Sequence, residues 1–124
     1  MPRVLIVDDD WRIREICREV LEPEGYEVGE APDGVVALKM FEQTPYDVVL
    51  CDIYMPNMDG IETIHELVEH YVAVKVVAMS GGAAGLPDYL NSAKVFGAVS
   101  VLSKPFSAGQ LLDAVAVALD PGAQ

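Results

Sequence analysis

Long apolar runs, clustered bases and cysteines are all scarce in this chain, and each scarcity removes a class of protein. No apolar run approaches the roughly 20 residues needed to span a bilayer, and no stretch resembles a signal peptide. The expected compartment is the cytoplasm, with no membrane partner. Only two cysteines occur, Cys17 and Cys51, both inside apolar segments, so they read as reduced core residues rather than a disulfide. Eight lysines and arginines stand against 20 acids, and no basic stripe exists to displace counterions from phosphates, which argues against direct nucleic-acid binding. Repeats, linkers and low-complexity segments are missing too. The 124 residues therefore read as one domain over 1–120 with a frayed tail at 121–124.

What is present is unevenly distributed. Residues 1–70 hold 17 acids and five bases, a net of −12, whereas residues 71–124 hold three of each. The first half thus has the charge to hold a cation, and the second offers a less charged surface to a protein. With 52% hydrophobic residues the chain can bury a core.

Short apolar runs alternate with amphipathic segments throughout. The runs are Val4–Val7, Val28–Ala31, Val48–Cys51, Val74–Met79 and Val99–Leu102, rich in valine and apolar on both faces, as strands buried between helical layers must be. Between them lie helical stripes: Ile13, Ile16, Cys17, Val20 and Leu21; then Val36, Ala37, Met40 and Phe41; then Ile61, Ile64, Leu67, Val68 and Tyr71. Tyr89, Leu90, Ala93 and Phe96 make a fourth stripe, and Leu111, Leu112, Val115, Ala116 and Leu119 the last. Asp10, Asp33, Asp59 and Ser107 stand where helices would begin, and Gly25 and Gly97 where helices would end. The pattern is (βα)5, an α/β fold with a five-stranded, doubly wound parallel sheet.

Ligands of such sheets bind beyond the carboxyl ends of the strands, near the point where strand order reverses. The first run, "LIVDDDW", ends in Asp8, Asp9 and Asp10; the third ends in Asp52, the fourth in Ser80, the fifth in Lys104 and Pro105. Three consecutive carboxylates resist ionising together unless something offsets them. Hard oxygen ligands suit Mg²⁺, which would relieve that repulsion, while a lysine supplies a second positive charge for phosphate oxygens. Such a rim suits phosphoryl transfer, and a carboxylate such as Asp52 is a competent nucleophile for it. Singly, each of these residues reads as an ordinary loop side chain; their shared place at four strand ends makes the functional reading.

"LIVDDDWRIR", "EAPDGVVAL", "DVVLCDIYMPNMDG", "VVAMSGG" and "VLSKPF" resemble, in order and spacing, the motifs of the response-regulator receiver domain of two-component signalling. The resemblance covers essentially the whole chain. It implies a flavodoxin-like strand order 2-1-3-4-5 and a phosphoacceptor, Asp52, that takes a phosphoryl group from a histidine kinase or histidine phosphotransfer protein. It implies Mg²⁺ held by Asp8, Asp9, Asp52 and the main-chain carbonyl of Tyr54. Lys104, beside a cis peptide to Pro105, would pair with a phosphoryl oxygen, and Ser80 would move toward the phosphoryl group to begin a switch. Asp10 reads as a helix cap. Such a domain is no conventional enzyme but catalyses its own phosphorylation and autodephosphorylation. A target protein would bind through the fourth predicted helix, the fifth strand and the fifth predicted helix, with a homodimer as a further possibility.

Two positions depart from the family pattern. Val101 stands where relatives have an aromatic residue three before the lysine, with Tyr89 or Phe106 as substitutes. The segment after Ser80, "GGAAGLPD", is rich in glycine and alanine, so ordering of residues 81–88 on phosphorylation would replace a swinging ring. Tyr54, two after Asp52, would shield the acyl phosphate from water. Arg12, Arg14 and Arg18 alternate with Glu15, Glu19 and Glu22 and read as a solvated helix face with i,i+4 pairs, adjoining the rim where a kinase would dock. His65 and His70 read as surface residues. Two other functions stay open: a receiver-like interaction module without phosphorylation, and a small magnesium-dependent phosphatase of the haloacid-dehalogenase type built on Asp8-x-Asp10. An FMN site is disfavoured because the acidic rim would repel its phosphate.

Overall fold

The computed structural model describes residues 2–53, 60–71, 73–80 and 97–120. Tyr54, the Asp59 cap, the segment 81–88, the fourth helical stripe Tyr89–Phe96 and the tail 121–124 lie outside the described residues. The described elements are β1 (Arg3–Val7), α1 (Trp11–Leu21), a 3-10 turn (Glu22–Glu24), β2 (Glu27–Ala31), α2 (Gly34–Gln43), β3 (Val48–Asp52) and α3 (Gly60–His70). They continue with β4 (Lys75–Ser80), β5 (Ser100–Ser103) and the C-terminal helix α4 (Ala108–Leu119). All five expected strands form, within a residue or two of the apolar runs.

The strands make one sheet in the order β2-β1-β3-β4-β5, every neighbouring pair parallel. Alternate residues of each strand feed two separate cores, as the period of two in an extended chain requires. Leu5, Val7, Val49 and Cys51 pack with Phe41, Ile64 and Leu67 under α2 and α3. Val4, Ile6, Val48, Leu50 and Met79 pack with Cys17, Leu21, Leu111 and Val115 under α1 and α4. β1 and β3 are covered on both faces, which is why their runs show no polar alternation.

Helix starts follow their caps. Asp10 accepts from the Arg12 N–H at 2.9 Å, and Asp33 from the Val36 N–H at 2.9 Å. Ser107 and Gln110 close a capping box at α4, with bonds of 3.1 and 2.8 Å. Gly25, at φ +96°, takes the left-handed conformation that ends the turn after α1. Val101 lies partly buried against the α2/α3 core. Among the described residues no helix is long and apolar enough to cross a membrane.

Candidate functional site

The register of the sheet sets where the rim residues fall. Val7 pairs with Cys51, so Asp8 and Asp52 follow at the same level on neighbouring strands. Asp52 pairs with Met79, and Ser80 pairs with Ser103, one step further along. Lys104 comes next, its main-chain N–H donating to the Ser80 carbonyl at 2.6 Å, and its peptide to Pro105 is cis. The hydrophobic strands thus deliver their first polar residues to one edge of the molecule. Ser80 sits half-buried at that edge.

Asp8 is fully buried and Asp52 is 5% exposed, whereas Asp9 faces solvent. One carboxylate oxygen from each of the three lies within 4.8 Å of the others. Among the described residues this is the one cluster of possible metal ligands, so His65 and His70 take no part in another. Buried carboxylates are costly unless paired and hydrogen-bonded. Asp8 meets that demand: Oδ1 accepts from the Asp10 N–H at 2.9 Å, and Oδ2 accepts from Lys104 Nζ at 2.6 Å. The same ammonium stands 3.7 Å from Asp52 Oδ2. Burial pulls the Lys104 pKa down, but its hydrogen bond to Asp8 and the charges of Asp52, Asp8 and Asp9 outweigh that and hold it above the ordinary lysine value. Lys104 is therefore a firmly protonated cation that partly neutralises three acids.

The donor set fits a small hard cation. It consists of carboxylate oxygens, two from buried residues and one from an exposed residue, the hard donors such a cation takes alongside water. Ligand oxygens around octahedral Mg²⁺ stand about 3 to 4 Å apart. The cluster is close to that spacing before any adjustment.

Asp10 does not join the cluster. It caps α1 and pairs with Arg12 through both oxygens, at 3.2 and 3.3 Å. That Arg12 bond, chiefly, holds the Asp10 carboxyl below its usual range. The second carboxylate that an Asp-x-Asp phosphatase needs is thus committed elsewhere.

Two features of the site escaped the sequence reading. Gly60 brings the start of α3 against the back of β3, its N–H donating to the Ile53 carbonyl at 2.9 Å. A Cβ there would collide with the Asp52 carbonyl oxygen and Ile53 Cα, so only glycine admits this approach. The arginines of α1 also differ from the uniform solvated face expected. Arg18 does pair with Glu22 at i,i+4, at 2.6 Å, but Arg14 and Arg18 both reach across to Glu30 of β2, at 3.1 and 2.7 Å.

Comparison with known proteins agrees with this geometry. The sequence matches the response regulator receiver domain family over residues 4–116. It is 35% identical over 113 residues to sporulation initiation phosphotransferase F of Bacillus subtilis, covering 91% of this chain and 90% of that one. It is 34% identical over 113 residues to the chemotaxis protein CheY of Halobacterium salinarum, covering 91% and 92%. The fold superposes on the receiver domain of NtrX from Brucella abortus with a TM-score of 0.90 at 30% identity, covering 95% and 98%. The chain belongs to the response-regulator receiver family, the receiver domains of two-component signalling. Its flavodoxin-like strand order is the one this family shares. The family generally binds Mg²⁺ in an acidic pocket and interacts with histidine kinases or phosphotransfer proteins.

Proposed function

We propose that this domain accepts a phosphoryl group on Asp52, from a phosphohistidine of a kinase or phosphotransfer protein, with Mg²⁺ held by Asp8, Asp9, Asp52 and the Tyr54 carbonyl. The observation that carries the proposal is the convergence of three carboxylates within 4.8 Å on an ammonium 2.6 Å from Asp8 and 3.7 Å from Asp52. The ion would supply charge neutralisation at the phosphoryl oxygens and hold them in line. Asp52 is the nucleophile: its carboxylate oxygen forms the new P–O bond while the P–N bond to imidazole breaks, and the imidazole nitrogen keeps the electron pair and takes a proton. Lys104 can follow the negative charge from Asp8 toward a phosphoryl oxygen without losing its own proton. Ser80, at the end of β4, donates a hydrogen bond to another oxygen. Hydrolysis returns Asp52 to a carboxylate and releases inorganic phosphate.

Helix α1 borders this rim and exposes Trp11 and Ile16, 61% and 50% accessible, which suits it to receive the donor. The target binds through the fourth predicted helix, β5 and α4, in the cytoplasm. New contacts that exist only in the phosphorylated state shift a two-state equilibrium and so change that affinity.

Incubation with acetyl phosphate and Mg²⁺, followed by intact-mass measurement, tests the reading. Wild type gains one phosphoryl group, Asp52→Asn gains none, and chelation abolishes the gain. An unmodified wild type favours a phosphorylation-independent module.

A further inference from the structure

Beyond the acids and the lysine, one basic side chain reaches the cation site from behind. β1 ends at Val7, and the Asp8 N–H still bonds the Ala31 carbonyl of β2 at 3.1 Å. The Asp8 carbonyl has left the ladder and needs another donor. Arg14, one turn into α1, supplies it: Nη1 donates to that carbonyl at 2.7 Å while Nε donates to Glu30 at 3.1 Å. The Arg14 side chain is only 17% exposed. Glu30 is itself held by Arg18 Nε at 2.7 Å, and Arg18 Nη2 donates to the Val28 carbonyl at 3.2 Å.

We propose that Arg14, anchored by Glu30, is a positioning residue for the cation site, acting through the Asp8–Asp9 peptide. The inference rests on the proposed reading of Asp8, Asp9 and Asp52 as ligands. A peptide unit is planar, so fixing the direction of the Asp8 carbonyl fixes the direction in which Asp9 departs. The buried Asp8 carboxylate is held independently by Asp10 N–H and Lys104. Asp9, exposed at the mouth, depends on the main chain to aim its oxygen at the other two. The planar guanidinium, with its separate N–H groups in fixed directions, can bridge a carbonyl and a carboxylate; an ammonium on a flexible stem cannot hold both in the same geometry.

The sign of the effect separates positioning from electrostatics. Arg14 is a cation near a cation site, so by charge alone its removal should tighten metal binding. Positioning requires the opposite. Outer partners that orient metal ligands typically change affinity by about 10- to 100-fold when lost.

The probe is Mn²⁺ alone, an oxygen-seeking divalent ion, with free ion counted by electron paramagnetic resonance. Arg14→Lys and Arg14→Ala are compared with wild type and Arg18→Ala, all confirmed folded by circular dichroism. Arg14→Lys, which keeps the charge, raises Kd about tenfold, and Arg14→Ala raises it at least as far despite the lost repulsion. Arg18→Ala, which breaks ion pairs of the same network without touching the Asp8 carbonyl, lowers the melting temperature but leaves Kd within about twofold of wild type. Unchanged or tighter binding in both Arg14 variants overturns the inference, as does equal weakening in Arg18→Ala, which would reduce the effect to stability. A wild type that binds no Mn²⁺ overturns the metal site itself, and this inference with it.

Discussion

Replacing Lys104 with methionine isolates the charge balance of the rim. The substitution keeps an unbranched stem of similar volume and removes only the ammonium. Asp8, with none of its surface exposed, then loses its 2.6 Å partner, keeping among its described partners the Asp10 N–H at 2.9 Å. Breaking a buried pair from one side costs about 3 to 5 kcal/mol, because the remaining charge stays desolvated. The surviving hydrogen bond and the restored packing place the loss near the low end, about 3 kcal/mol. With a urea slope of roughly 1.5 kcal/mol per M for a domain this size, the unfolding midpoint in EDTA falls by about 2 M. Mg²⁺ should return part of the loss: a ligand at ten times its Kd adds about 1.4 kcal/mol if it binds only the folded chain. The variant should gain more from Mg²⁺ than wild type does, since the ammonium no longer competes for the same carboxylates. Adding Asp8→Asn to Lys104→Met removes the orphaned charge, so the double variant should be more stable than the sum of the single losses predicts. Equal midpoints for wild type and Lys104→Met in EDTA would refute the reasoning, for Asp8 could not then depend on Lys104 for its burial.

Other perturbations test other parts of the structure. Gly60→Ala should lose about 1 to 3 kcal/mol in a urea titration despite the better helix propensity of alanine, because the added carbon meets β3 backbone that cannot yield; a gain in stability would show that α3 does not sit this close. Burial opposes ionisation of Glu30, but hydrogen bonds from Arg18 and Arg14 outweigh it and lower its pKa from 4.5. A lowered carboxylate pKa contributes stability above the unfolded value and loses it as pH falls through the folded one. The stability deficit of Glu30→Gln should therefore be full at pH 7 and shrink below about pH 4.5, and a deficit independent of pH would contradict the pairing. Burial, reinforced by the charge of Asp8, pushes the Cys17 thiol up to about 12, and Cys51 is equally inaccessible. Neither thiol should react with Ellman's reagent at pH 8 until the chain unfolds, and prompt labelling of the native protein would count against both core assignments.

The parts of this molecule that sequence exposes are those governed by one strong local rule. A strand covered on both faces has to be apolar at every position, so "VLIV" and "VVLC" announce themselves, and the first polar residue after each marks the rim. The Asp8, Asp9, Asp52 and Lys104 cluster was legible for that reason. Caps at Asp10, Asp33 and Ser107 were legible because the unpaired N–H groups of a helix start need an acceptor nearby in sequence. Gly60 and Arg14 obey no such local rule. That Gly60 must be glycine depends on how closely α3 approaches β3, a distance set by the whole α2/α3 core. The arginines of α1 show the limit most clearly. Arg14 and Arg18 project about 40° apart around the helix, whereas Arg12 lies far round from both. Spacing could therefore have divided them into two faces. It could not say that one face meets solvent, leaving Arg12 71% exposed against its neighbour Asp10, while the other is turned onto Glu30 of β2. Which way a helix is rotated over a sheet is decided by its apolar stripe and by the neighbouring strand together. Charged side chains beside that stripe acquire their partners only when the strand order is settled. A strand order that put β2 elsewhere would take Glu30 from Arg14 and Arg18, and leave the Arg14 bond to the Asp8 carbonyl without its anchor.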